Sequence, residues 1–97
     1  MKKYKLTEET KEYYGVILHR IEALRDFGYV KSGDRGGFIE KESNLSHAGD
    51  AWVFENASIL GNASVSGNAL ISGNTSIYGK ARVSGDTFVS GDGLVYS

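Results

Sequence analysis

From Gly49 to Tyr96 the sequence reads GDAWVF ENASIL GNASVS GNALIS GNTSIY GKARVS GDTFVS GDGLVY. Glycine opens seven of these eight hexads: Gly49, Gly61, Gly67, Gly73, Gly79, Gly85 and Gly91. The fifth place is always aliphatic: Val53, Ile59, Val65, Ile71, Ile77, Val83, Val89 and Val95. The third place is always small: Ala51, Ala57, Ala63, Ala69, Thr75, Ala81, Thr87 and Gly93. A repeat kept this strictly decides architecture ahead of local propensity. Places three and five face one way and places four and six the other, as in a short strand. Gly-Asn or Gly-Asp at places one and two supplies the sharp bend between strands. Three strand-and-bend units close a triangular coil of 18 residues. Equivalent side chains of successive coils then stack about 4.8 Å apart. The spacing predicts a mainly β fold, a short parallel β-helix of about three coils stabilised coil against coil.

Composition bounds the rest. With 97 residues the chain is one compact unit by length. Lys plus Arg number 11 and Asp plus Glu 12, and this near-zero net charge argues against a nucleic-acid partner, which needs a basic field. Cysteine is absent, which excludes a disulfide framework, a thiolate zinc site and a cysteine nucleophile. The start, MKKYKLTEETK, has lysines but no apolar stretch behind them, unlike a secretory signal. No apolar run approaches membrane-spanning length, so a cytoplasmic location without membrane contact is expected. Charge divides the chain. Residues 1–42 carry nine basic and eight acidic side chains, whereas residues 43–97 carry Lys80 and Arg82 against Asp50, Glu55, Asp86 and Asp92. The shift marks a capping head, residues 1–36, and a repeat, residues 37–97.

In the head, Tyr4-Lys5-Leu6 alternates and Val16 to Ile21 is β-branched, which predicts a hairpin closing near Tyr14-Gly15. A helix is the competing reading, since Thr7-x-x-Thr10 with early glutamates resembles a helix start. The cluster Val30 to Gly37 is a turn region. It lacks the Gly-x-x-x-x-Gly-Lys pattern of a phosphate loop and reads as a connector feeding the repeat. From Gly37 the six-residue register can be followed upstream, with Ile39 and Leu45 at place three and His47, inward, at place five of an irregular first coil.

These hexads resemble the hexapeptide-repeat proteins over roughly residues 37–97. The resemblance implies a left-handed coil, although the general rule for parallel connections favours right-handed ones. KYKLTEET, LHRIEALRDFG and GDRGGFIEKESNLS also resemble the N-terminal segment of small phage- and prophage-encoded hexapeptide-repeat proteins, which are often described as transferases. Some small phage proteins of this size inhibit host defence.

With an 18-residue coil the outward places sort by face. Trp52, Leu70 and Phe88 stand on one face, and Leu60, Tyr78 and Tyr96 on the next with Leu94 beside them. The third face, with Ser64, Ser66, Arg82 and Ser84, is polar. Contiguous apolar ladders mark interaction surfaces, and Trp and Tyr are frequent interface anchors. The bland alternative is that the head folds back over the Trp52 stripe. The last hexad ends without a polar cap, so end-to-end self-association or a partner there is expected.

Catalysis is less well supported. Many hexapeptide-repeat enzymes are trimeric acyltransferases, similar in repeat but longer, whose reaction needs a histidine base beside a cofactor groove between subunits. Here His19 and His47 are the available histidines, each with a ready structural reading. The corner columns Asp50, Asn68, Asp86 and Asn56, Asn74, Asp92 read as hydrogen-bonded ladders rather than a calcium site. No catalytic residue, metal or cofactor is therefore expected. The sequence reads as a non-catalytic, phage-type protein-binding module that self-associates, with a host defence complex as its concrete target. Contact would be carried by Trp52, Leu70, Phe88, Leu60, Tyr78, Tyr96 and Leu94. The alternatives are a minimal acyltransferase-like enzyme and a virion structural component.

Overall fold

The computed structural model describes residues 2–96. The chain runs β1 (Tyr4–Tyr13), β2 (Val16–Ala23) and β3 (Arg35–Ile39), then a 3-10 turn at Glu42–Asn44. Eight short strands follow: β4 (Trp52–Val53), β5 (Ser58–Ile59), β6 (Ser64–Val65), β7 (Leu70–Ile71), β8 (Ser76–Tyr78), β9 (Arg82–Val83), β10 (Phe88–Val89) and β11 (Leu94–Tyr96). The described residues contain no α-helix.

The repeat is a parallel β-solenoid of about three turns. Its faces are β3-β5-β8-β11, β4-β7-β10 and β6-β9. Ser58 pairs with Ser76, Ser64 with Arg82 and Trp52 with Leu70, each eighteen residues on. Backbone amides reach down one coil, for example Trp52 to the Ala69 carbonyl at 3.1 Å and Phe54 to that of Ile71 at 2.7 Å. Val53, Ile59, Val65, Ile71, Ile77 and Val83 are buried at place five, with Ala51, Ala57, Ala63, Ala69 and Ala81 beside them. The small third place is needed because the aliphatic ladders from three strands meet inside one narrow triangle.

The first coil departs from the extrapolated register. Ile39 pairs with Ile59 and Leu45 with Val65, twenty residues apart rather than eighteen. Both therefore stand level with place five, not place three as the hexad count predicted. Two extra residues lie between Leu45 and Val53, and His47 among them is not an inward rung. Asn44, the last residue of the 3-10 turn, braces this coil with its side chain. Its Oδ1 accepts from the Glu40 and Lys41 amides, and its Nδ2 donates to the Gly61 and Ala63 carbonyls.

The head is the predicted hairpin, longer than the sequence suggested. β1 runs through the polar stretch to Tyr13 and pairs antiparallel with β2. Between Leu6 and Thr10 the register shifts, where the Thr7 hydroxyl donates to the Arg20 carbonyl at 2.8 Å. β2 pairs antiparallel with β3, and β3 lies parallel on β5, so the hairpin extends one solenoid face upward as a single sheet. Gly36 permits this junction, since a Cβ there would meet the Val53 carbonyl at 2.3 Å. Two amides of the Val30–Gly37 connector are turned to carboxylates, Lys31 to Asp34 at 3.0 Å and Ser32 to Asp26 at 2.8 Å, and those of Val30, Gly33 and Asp34 to backbone carbonyls. They brace the turn and are not arrayed for an anion.

Candidate functional site

The head covers the upper rung of both apolar ladders and leaves the lower rungs open. On the first ladder Trp52 is 1% exposed, Leu70 half-buried and Phe88 73% exposed. Tyr4 and Phe27 meet the Trp52 ring edge-on, at centroid distances of 6.3 and 5.3 Å. On the second ladder Leu60 is buried with Leu18 and Phe38 beneath the hairpin, Tyr78 is half-buried, and Leu94 and Tyr96 are exposed. Trp52 and Leu60, expected on the open surface, are thus core residues. The cause is the head: its apolar residues have no interior of their own and bury themselves against the top coil. Leu70, Phe88, Tyr78, Leu94 and Tyr96 stand partly or fully in solvent.

The head is fastened by a polar cluster. The Lys3 ammonium donates to the carbonyl of Ala51 at 2.7 Å and lies over the Phe27 ring. Burial, reinforced by the nearby Arg25 charge and opposed by Asp50, pulls its pKa down to about 8. The Tyr4 phenol donates to the Glu42 carbonyl at 2.9 Å and also to that of Leu45. Burial, with the Glu42 charge adding to it, pushes that phenol well above its ordinary range. His47 stacks on Tyr4 at 4.1 Å; its Nδ1 accepts the Lys3 amide and its Nε2 donates to Glu42 at 2.9 Å. That bond, with Lys2 adding its own, holds the Glu42 carboxyl below its usual range. On the outer hairpin, Arg20 pairs with Glu9 at 2.8 Å and lowers its pKa.

Two grooves flank the ladders. The first, of about 310 Å³, is lined by Tyr13, Tyr14, Leu60, Tyr78 and Leu94. Tyr13 is pinned by a 2.7 Å hydrogen bond with the Ser76 hydroxyl, and Tyr78 stacks on Tyr96 at 5.2 Å. Tyr14 sits at the hairpin tip with φ +51°, followed by Gly15 at +82°, and is 89% exposed. The second groove, of about 320 Å³, is lined by Gly28, Tyr29, Asp50, Asn68, Leu70, Asp86 and Phe88. Sequence reasoning missed the contributions of Tyr13, Tyr14 and Tyr29. The one available signal was aromatic residues beside turn glycines, in Tyr13-Tyr14-Gly15 and Gly28-Tyr29.

Neither histidine lines a groove. His19 donates from Nδ1 to the Thr7 carbonyl at 3.1 Å inside the hairpin, and both ring nitrogens of His47 hold the head in place. The corner columns are hydrogen-bonded ladders: Asn68 donates to Asp86 at 3.3 Å and Asn74 to Asp92 at 3.2 Å. None of the described helices is long and apolar enough to cross a membrane.

No family model matches the chain. Over 67 aligned residues it is 33% identical to a protein of Escherichia coli (strain K12) named "Uncharacterized acetyltransferase YdcK", the match covering 61% of this chain and 21% of that relative. This likeness and the solenoid fit a hexapeptide-repeat β-helix. The chain spans about a fifth of the length of the curated relative it matches.

Proposed function

We propose that this chain is a non-catalytic protein-binding module whose contact surface is the groove between the hairpin tip and the Leu60, Tyr78, Tyr96 ladder. The observation that carries the reading is Tyr14. Both central residues of its two-residue turn have positive φ, a geometry that selects Asn, Asp or Gly. A bulky side chain there costs on the order of 1 kcal/mol. Within the chain Tyr14 meets the Tyr13 ring edge-on, 4.6 Å between centroids, and its side chain still stands 89% exposed. It is a rigid aromatic held out beside an apolar groove, the chemistry of an interface anchor.

The partner is a protein that places an aromatic or aliphatic side chain against Tyr13, Tyr14, Tyr78 and Leu94, and a second copy of the chain is one such protein. The resemblance of the head to phage-type chains makes a component of a host defence complex the first foreign partner to test. Light scattering over a dilution series, with pull-down by purified candidate components, tests the reading. The double variant Tyr14→Asn, Leu94→Ser keeps the β circular-dichroism signal and loses the association. Equal association by both proteins overturns it.

The name of the Escherichia coli relative supports a second reading, acetyl transfer from coenzyme A. That chemistry requires a base beside the acceptor, and within one chain His19 and His47 are engaged in hydrogen bonds that hold the head. Saturable binding of acetyl-coenzyme A, measured calorimetrically, would favour this second reading over the first.

A further inference from the structure

We infer that the second groove, on the Trp52, Leu70, Phe88 face, receives an arginine side chain of a protein partner. It shares no lining residue with the hairpin groove, so the inference stands apart from the function proposed above.

Its upper wall is set by the turn from Phe27 to Val30. The amides and carbonyls of those two residues exchange hydrogen bonds at 2.9 and 2.7 Å, with Gly28 at φ +50° between them. Phe27 is buried against Trp52, and this anchoring turns Tyr29 outward, 85% exposed. Two coils below Trp52 the same ladder ends in exposed Phe88, with half-buried Leu70 between them. Two aromatic residues therefore flank a groove floored by an aliphatic one.

The rim is acidic. Asp50, Asn68 and Asp86 form one corner column, in which Asn68 accepts the Asp50 amide at 3.2 Å and donates to the Asp86 carboxylate at 3.3 Å. Neither carboxylate enters an ion pair among the described residues. Lys3 lies near Asp50, but its ammonium is buried and turned to the Ala51 and Gly49 carbonyls. The cations of the repeat, Lys80 and Arg82, do not line the groove.

Charge complementarity then selects the occupant. An apolar side chain would strip water from carboxylates that gain nothing in exchange. An anion would be repelled. A guanidinium stacks flat on an aromatic face and forks its donors to a carboxylate, which an ammonium cannot do in the same geometry.

The test is a ¹⁵N chemical-shift titration of the whole chain with an acetylated, amidated Gly-Arg-Gly-Arg-Gly peptide. Its partner peptide carries citrulline at both arginine positions, the same shape without the charge. The arginine peptide is expected to move the Tyr29, Asn68, Asp86 and Phe88 signals saturably, with the citrulline peptide about tenfold weaker. Asp86→Asn and Phe88→Ser, both at exposed positions, should each weaken binding by about threefold or more. Tyr14→Asn should leave it unchanged. Equal binding of the citrulline peptide, shifts centred on the hairpin glutamates, or full binding by both groove variants would overturn the assignment.

Discussion

The Lys3 ammonium and the Ala51 carbonyl, 2.7 Å apart and buried, join the first described turn of the chain to the top coil of the solenoid. The bond spans 48 positions of sequence and places a cation where burial disfavours its charge.

Stability should accordingly vary with pH in an uncommon direction. Folded Lys3 releases its proton near pH 8, whereas in the unfolded chain it holds it to about 10.5. Between those values the unfolded chain binds more protons, so stability rises with pH. Tyr4 acts oppositely: its folded pKa is raised, so stability falls once the unfolded phenol ionises above pH 10.0. Urea unfolding at pH 7 to 11 is expected to show a maximum near pH ~10. Lys3→Met should flatten the rising limb, leaving the part owed to Lys11, whose pKa burial also lowers, and should leave the falling one.

Trp52 and Phe88 occupy the same ladder position, two coils apart, in opposite surroundings. Trp52→Ala should cost about 3–5 kcal/mol, because it opens a cavity under Tyr4 and Phe27. Phe88→Ala should cost within about 0.5 kcal/mol. Denaturant midpoints of the two variants decide this, and equal losses would mean that the head does not pack as described.

At the hairpin tip, Tyr14→Asn relieves the positive φ and should stabilise the chain by about 0.5–1 kcal/mol. The same change should weaken association through the neighbouring groove. A variant that is both less stable and fully associated would show that Tyr14 serves the fold rather than a contact.

Two corner glycines separate backbone strain from crowding. Gly67 and Gly85 have φ of +66° and +68°, but a Cβ at Gly67 would stand 2.8 Å from the Gly85 amide nitrogen while one at Gly85 meets nothing within 4 Å. Gly85→Ala should cost the left-handed strain alone, about 1 kcal/mol. Gly67→Ala should cost clearly more, read as a lower thermal midpoint.

The hexads made the coils legible because inward and outward places alternate with a period that needs no distant partner to interpret. That reasoning failed at Ile39 and Leu45, where the count ran through a two-residue insertion. The pairings of Ile39 with Ile59 and of Leu45 with Val65 reveal it. The hairpin was legible from its β-branched second strand and the Tyr14-Gly15 turn. Its length was not, because polar residues from Thr7 to Glu12 lie on an outer strand that buries little.

By itself, then, the sequence determined the solenoid, its inward ladders and the existence of two apolar stripes, all of which follow from local periodicity. Which rungs of those stripes reach solvent was decided only in three dimensions. Trp52 and Leu60 are covered, and Phe88 and Tyr96 left open, by a head whose docking rests on contacts such as Lys3 with Ala51 and Tyr13 with Ser76. Such contacts join residues dozens of positions apart, and no repeat period encodes them.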